Sequence, residues 1–132
     1  MRITADTNIL VRAITGDDAR QSGLAQSTLA QAEIVALPSP VLCELVWVLA
    51  RGYRISTDDI ASAIRGLIEA NNVSVNRPAA DAGLAMLNAG GDFADGVIAH
   101  EGAWLGGEVF LSFDKVAVAL AQARGINAKL LD

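Results

Sequence analysis

Short apolar runs alternate along this chain with longer stretches whose apolar positions recur at helical spacing. Ile3 to Ala5 reads as an extended segment that stops on Asp6, and Thr7 to Thr15 follows as a first helix. Asp17 or Asp18 starts a second helix that runs to about Ala32, and Ile34-Val35-Ala36-Leu37, bounded by Pro38, is a second strand. Ser39-Pro40 predicts a helix start, with serine as cap and proline in the first turn. That helix reaches about Arg51 and closes at Gly52. Ser56 or Thr57 caps a fourth helix, in which Ile60, Ile64, Leu67 and Ile68 share a face, and Asn71-Asn72 ends it. Val73-Ser74-Val75 is a third strand, and Pro78 opens a fifth helix that stops at Gly90-Gly91. Asp92 opens a sixth helix reaching Gly102 or Trp104, and Val109-Phe110-Leu111 is a fourth strand. A helix from Lys115 to Arg124 and a strand from Ala128 to Leu131 complete the order.

Strands separated by complete helices are not hairpins; they pair in parallel through right-handed crossovers. Helices on both faces account for strands that are continuously apolar rather than alternating. The expectation is a three-layer α/β/α fold with a parallel sheet. Residues 1–132 are read as a single domain without repeat or linker.

Composition narrows the class. Hydrophobic residues make up 52% of the chain and charged residues 19%, which excludes a disordered chain. No apolar run approaches the roughly 20 residues needed to cross a bilayer. Met1-Arg2 leads straight into a strand without a cleavage signal, and the single cysteine, Cys43, fits a reducing compartment. The location expected is cytoplasmic. A net charge of −5 disfavours a nucleic-acid binder working by bulk electrostatics. It leaves open an enzyme that meets phosphate through bound cations.

Candidate chemistry rests on four acids. Asp6 and Asp114 each follow a strand and precede a helix, at the carboxyl edge where α/β folds place their sites; helix capping explains either one alone. If the first and fourth strands are neighbours, the two acids converge at the switch point of the sheet. Glu44 sits among Val41, Leu42, Cys43, Leu45, Val46 and Trp47, a helix apolar on nearly every side. A buried carboxylate there needs a partner or a metal, whereas a glutamate at the rim paired with Arg51 or Arg54 needs neither. Asp92 and Asp95 are three apart, so Asp92 suits the cap of the sixth helix and Asp95 its first turn. Val97 and Ile98 imply that this helix start is partly buried. Oxygen ligands without clustered histidine or cysteine point to Mg²⁺ or Mn²⁺ rather than zinc. His100 is the only histidine, which argues against a histidine triad, and Cys43 reads as core.

Four segments carry a resemblance: Asp6-Thr7-Asn8-Ile9-Leu10, Pro40-Val41-Leu42-Cys43-Glu44-Leu45, Asp92 to Ala99, and Leu111-Ser112-Phe113-Asp114-Lys115. In order and spacing they resemble the PIN-domain ribonucleases, and among them the VapC-like toxins of type II VapBC toxin–antitoxin pairs. The resemblance implies a five-stranded parallel sheet of order 3-2-1-4-5. It implies Asp6, Glu44, Asp95 and Asp114 as catalytic acids around one or two Mg²⁺ or Mn²⁺ ions. Asn8, Thr7 and Ser112 match supporting positions, and Asp92 is an extra acid. Gly96 stands where the family more often has alanine, a departure expected to loosen the helix start.

The implied activity is hydrolysis of RNA phosphodiesters to 5′-phosphate and 3′-hydroxyl ends. The implied partners are an RNA substrate, a VapB-like antitoxin and a second copy of the chain. Arg12, with Arg51 and Arg54, is a candidate phosphate contact, although solvated surface charge also explains each. A receiver-like signalling module is the rival reading, but strand three ends in Asn76-Arg77 and Lys129 falls inside the last strand. A haloacid-type phosphatase wants Asp-x-Asp where this chain has Asp6-Thr7-Asn8. A non-catalytic PIN relative is the remaining alternative.

Overall fold

The sequence order of elements is the order found in the computed structural model, which describes residues 1–132. The chain divides into two compact units, Met1–Asn76 and Arg77–Asp132. The first holds β1 (Arg2–Thr4), α1 (Thr7–Thr15), α2 (Ala19–Gln31), β2 (Ile34–Leu37), α3 (Ser39–Trp47), α4 (Thr57–Ile68) and β3 (Val73–Val75). The second holds α5 (Arg77–Asn88), α6 (Phe93–Trp104), β4 (Phe110–Ser112), α7 (Lys115–Ala123) and β5 (Ala128–Leu130). No helix is long and apolar enough to cross a membrane.

All ladders are parallel, as the crossover argument requires. In the first unit the order is β1-β2-β3, with Ile3 opposite Val35 and Val35 opposite Val73. In the second, β4 pairs with β5, Phe110 opposite Ala128. The expected order 3-2-1-4-5 contains both observed runs, 3-2-1 in the first unit and 4-5 in the second. A strand of three residues turns alternate peptides to opposite edges, so each edge offers only one or two pairing groups.

The core of the first unit is built from Leu10, Val35, Leu42, Leu45, Leu49, Ile60 and Ile64, all fully buried. Each such side chain contributes about 1.5–3 kcal/mol relative to exposure. In α3 only one face takes part: Leu42, Leu45 and Val46 are buried, while Glu44 and Trp47 are exposed. The expectation of a buried Glu44 is thus corrected. The apolar residues around it divide between a core face and a surface face, and Glu44 falls on the latter. Ser39 does not cap this helix. Pro38 holds the cap position in extended backbone and Ser39 lies in the first turn. After Trp47 the helix widens into one π-helical turn, Val48–Gly52.

Side chains from neighbouring elements satisfy the helix ends. Ser22 Oγ donates to the Arg12 carbonyl at 2.6 Å and Gln26 Nε2 to the Ala13 carbonyl at 3.0 Å, closing the end of α1. The fourth helix ends at Ile68 with Glu69 at its cap, earlier than the expected Asn71-Asn72. Asn72, in the turn that follows, donates from Nδ2 to the Leu29 and Ala32 carbonyls at 2.8 and 3.0 Å and closes the end of α2.

In the second unit Met86, Val118, Ala121 and Ala128 form a core cluster against Phe110 and Leu120. Helices α5 and α6 pack against each other across Gly83 and Gly96. A Cβ on Gly96 would stand 2.3 Å from the Ala82 carbonyl oxygen, and one on Gly83 would stand 2.7 Å from the Phe93 ring. Gly96 therefore does not loosen the helix start; it is what lets the two backbones touch.

Candidate active site

The predicted acids occupy two kinds of position. Asp6 follows β1 and caps α1, its Oδ1 accepting from the Thr7 amide at 2.8 Å. Asp114 follows β4 and caps α7, its Oδ1 accepting from Val116 and Ala117 amides at 2.9 and 3.2 Å. Both carboxylates are exposed, and in each a single oxygen is committed to the cap. Capping and ligand binding are therefore compatible in one residue, because a carboxylate offers about four lone-pair sites.

Ser112 has a definite task beside Asp114: its Oγ accepts from the Asp114 amide at 3.0 Å. The hydroxyl fixes the turn between β4 and α7 and with it the start of the acid's side chain. Thr7 is buried, and Asn8 is exposed one residue further on.

Asp92 is at the cap position of α6, yet its carboxylate accepts no capping hydrogen bond. Its backbone carbonyl takes the amides of Asp95 and Gly96 instead, at 3.1 and 3.4 Å. The expected side-chain cap is corrected accordingly, and the Asp92 charge is left to act on its surroundings. Asp95 lies half-buried in the first turn. Burial raises its pKa above the usual carboxylate value, and the charges of Asp92 and then Asp114 raise it further. All three causes act in one direction. Of its apolar neighbours, Val97 is buried as expected, but Ile98 is exposed.

Asp6 and Glu44 thus belong to the first unit, and Asp92, Asp95 and Asp114 to the second. In neither unit do three carboxylate, histidine or cysteine side chains stand close enough to hold a metal ion by themselves. The donor chemistry nevertheless fits a hard divalent cation. In the second unit the charges of Asp92 and Asp114 both reach Asp95, and a cation would relieve that repulsion.

Arg12 is placed differently from a free phosphate contact. Its Nε donates to Gln21 Oε1 at 2.7 Å, and one terminal nitrogen donates to both Asp17 oxygens at 3.1 and 3.0 Å and to the Tyr53 hydroxyl at 3.3 Å. Tyr53 donates in turn to Asp17 Oδ2 at 2.6 Å. No local pattern announces this network. Arg12 and Asp17 are five apart across a helix end, and Tyr53 arrives from beyond α3. Asp18 rather than Asp17 caps α2, accepting from the Gln21 amide at 3.0 Å.

The Tyr53 hydrogen bond, followed by those of Thr15 and the charge and hydrogen bonds of Arg12, lowers the Asp17 pKa against the opposing effect of burial. A depressed folded-state value contributes stability above the ordinary carboxyl pKa of 3.8, lost as pH falls through the folded value. Asp17→Asn is therefore expected to be less stable than the native chain at pH 7. The gap should narrow below pH 3.8 and close in stronger acid, as followed by urea denaturation across a pH series. A gap that stays constant with pH would show that the Asp17 charge is not what holds the network.

A parallel α/β chain with acids just past β1 and β4 and in the first turn of α6 is of the class that works at the carboxyl edge of its strands. The sequence model of the PIN domain matches residues 3–128, nearly the whole length, and the chain belongs to the PIN domain family. Members of this family are generally metal-dependent nucleases and typically use divalent metal ions. No curated protein matches the sequence.

Proposed function

We propose that this chain is a Mg²⁺- or Mn²⁺-dependent endoribonuclease, acting as the VapC-like toxin of a type II toxin–antitoxin pair. Membership of the PIN family supports the nuclease reading, and the order of the four acid-bearing segments supports the toxin reading. The observation that carries it is the acid cluster of the second unit. There Asp95 is half-buried within reach of the charges of Asp92 and Asp114. Asp6, Glu44, Asp95 and Asp114 are the proposed catalytic acids and metal ligands, with Asn8, Thr7, Ser112 and Asp92 in support.

When bound, the divalent ion supplies positive charge to the phosphodiester and lowers the pKa of water. The protein's own residues do the rest. Asp6 and Asp114 are held at fixed angles by their caps, so their uncommitted oxygens are preorganised to ligate. Asp114 or Glu44, both exposed, takes the proton as the oxygen of water forms its bond to phosphorus. The P–O3′ bond breaks and the leaving oxygen takes a proton from solvent water while the carboxylate returns its proton to solvent, giving 5′-phosphate and 3′-hydroxyl ends. With a net charge of −5, the chain meets RNA through the cation rather than through a basic surface.

A homodimer and a VapB-like antitoxin complete the proposal. The second unit exposes Trp104 at 79%, Leu105 at 89% and Phe113 at 78%, large side chains that a partner would cover. The cytoplasm is the proposed location. To test the activity, purified protein freed of any partner is incubated with structured and unstructured RNAs in Mn²⁺ or Mg²⁺, then in EDTA. Cleavage is expected only with metal, and Asp6→Asn is expected to slow it by about 10²–10³-fold. Undiminished cleavage in EDTA or by Asp6→Asn would sink the reading.

A further inference from the structure

In the first unit a groove of about 630 Å³ opens between β1, α1 and α2. Ala5 and Asn8, flanking the Asp6-Thr7 step, line it, with Ile9, Arg12, Leu24 and Thr28 further along. The Ile9 and Leu24 side chains are 39% and 57% exposed, so the walls are aliphatic and open. We infer that this groove is a nucleobase subsite: it receives one unstacked base of single-stranded RNA adjacent to the scissile phosphate. The inference rests on the ribonuclease reading for the identity of the ligand.

Three features favour a base over other occupants. No carboxylate lines the groove, although acids outnumber bases in the chain, so an anionic strand can enter it. Arg12 does not serve as a free phosphate anchor, because Asp17 neutralises it in an ion pair at 3.0 Å. What it offers is a flat guanidinium, held in place by Gln21, Asp17 and Tyr53, whose face suits stacking. Ala5 and Asn8, which line the groove, also flank Asp6 in the chain, so its occupant lies within a few residues of the proposed reacting group. Sequence-specific recognition of RNA depends on such splayed bases, stacked on planar groups and gripped at their edges. The exposed Asn8 amide stands at the groove and carries both a donor and an acceptor for a base edge.

The test is equilibrium binding in Ca²⁺ of three single-stranded hexamers: uridylate, adenylate, and an abasic ribose-phosphate chain. The native protein is expected to bind at least one base-bearing hexamer about tenfold more tightly than the abasic one. Leu24→Glu, an exposed position, and Arg12→Lys, which keeps the charge but removes the plane, are expected to bring that ratio close to one. Their circular dichroism should be unchanged. Equal or undetectable binding of all three hexamers by the native protein overturns the subsite, as does a ratio unaffected by both variants. If Leu24→Glu keeps the ratio but releases a co-purifying protein, the groove belongs to a peptide and the inference is overturned. A native protein that keeps the ratio yet cleaves no RNA retains the subsite and removes the ribonuclease reading. Cleavage without the ratio does the reverse.

Discussion

Asp95→Asn is expected to lose metal-dependent RNA cleavage by about 10²–10³-fold or more, and in EDTA to melt no lower than the native chain. The two halves of this result have one cause. Burial, Asp92 and Asp114 all raise the pKa of Asp95, so the folded chain holds a proton at this position more tightly than the unfolded chain does. A raised folded-state value contributes stability that is fully present below the ordinary value of 3.8 and is lost as pH rises through the folded value. At neutral pH the native carboxylate therefore opposes folding, and an amide of the same shape removes that cost. The metal-free native chain should lose stability over this acid window, and the loss should be smaller in Asp95→Asn.

Adding Mg²⁺ or Mn²⁺ reverses the comparison. An ion that binds only the folded chain stabilises it by mass action, and the native protein should gain melting temperature with metal concentration. The variant should gain less. Calorimetry or dye-monitored melting in EDTA and in a metal series reads this effect without any RNA present. A variant that melts below the native chain in EDTA and still gains as much from metal would show that Asp95 is a structural residue.

The alternation of elements was legible because each element carries its own period and its own stop signals. Ser56 caps α4, Asp114 caps α7, and β2 is the apolar run before Pro38, all from local chemistry. The parallel pairing followed from chain length between strands. The strand order β1-β2-β3 did not, since it depends on which edge groups of three-residue strands find partners. Among the acids, position along the chain was readable, but environment was not. Glu44 is exposed because α3 presents its 44/47 side to solvent, and composition cannot say which side of an apolar helix meets the core. Asp92 holds the cap position its residue type suggests, yet its carboxylate makes no capping hydrogen bond. The Arg12–Asp17–Tyr53 network joins residues up to 41 apart and has no periodic signature at all.

Gly96→Ala is expected to be among the most destabilising small substitutions in the chain, although alanine is the better helix former. Propensity favours alanine by about 0.8–1 kcal/mol, so an exposed helical glycine would gain from the change. Gly96 is buried where α6 crosses α5, and its new methyl group would lie 2.3 Å from the Ala82 oxygen, 2.8 Å from the Ala82 carbonyl carbon and 2.9 Å from the Gly83 Cα. These are backbone atoms and cannot rotate away as a side chain can. The helices must separate, and Phe93, fully buried beside Gly83, would lose contact as they do. Overpacking of this kind costs about 1–3 kcal/mol or more, which outweighs the propensity gain. The expected fall in melting temperature is roughly 5–10 °C. Urea and thermal denaturation of the purified variant measure it. Because Asp95 is the preceding residue in the same first turn, the separation also moves the acid cluster. Gly96→Ala should therefore weaken the metal-induced gain in melting temperature seen in the native chain. Unchanged stability would mean that α5 and α6 do not approach each other across these two glycines.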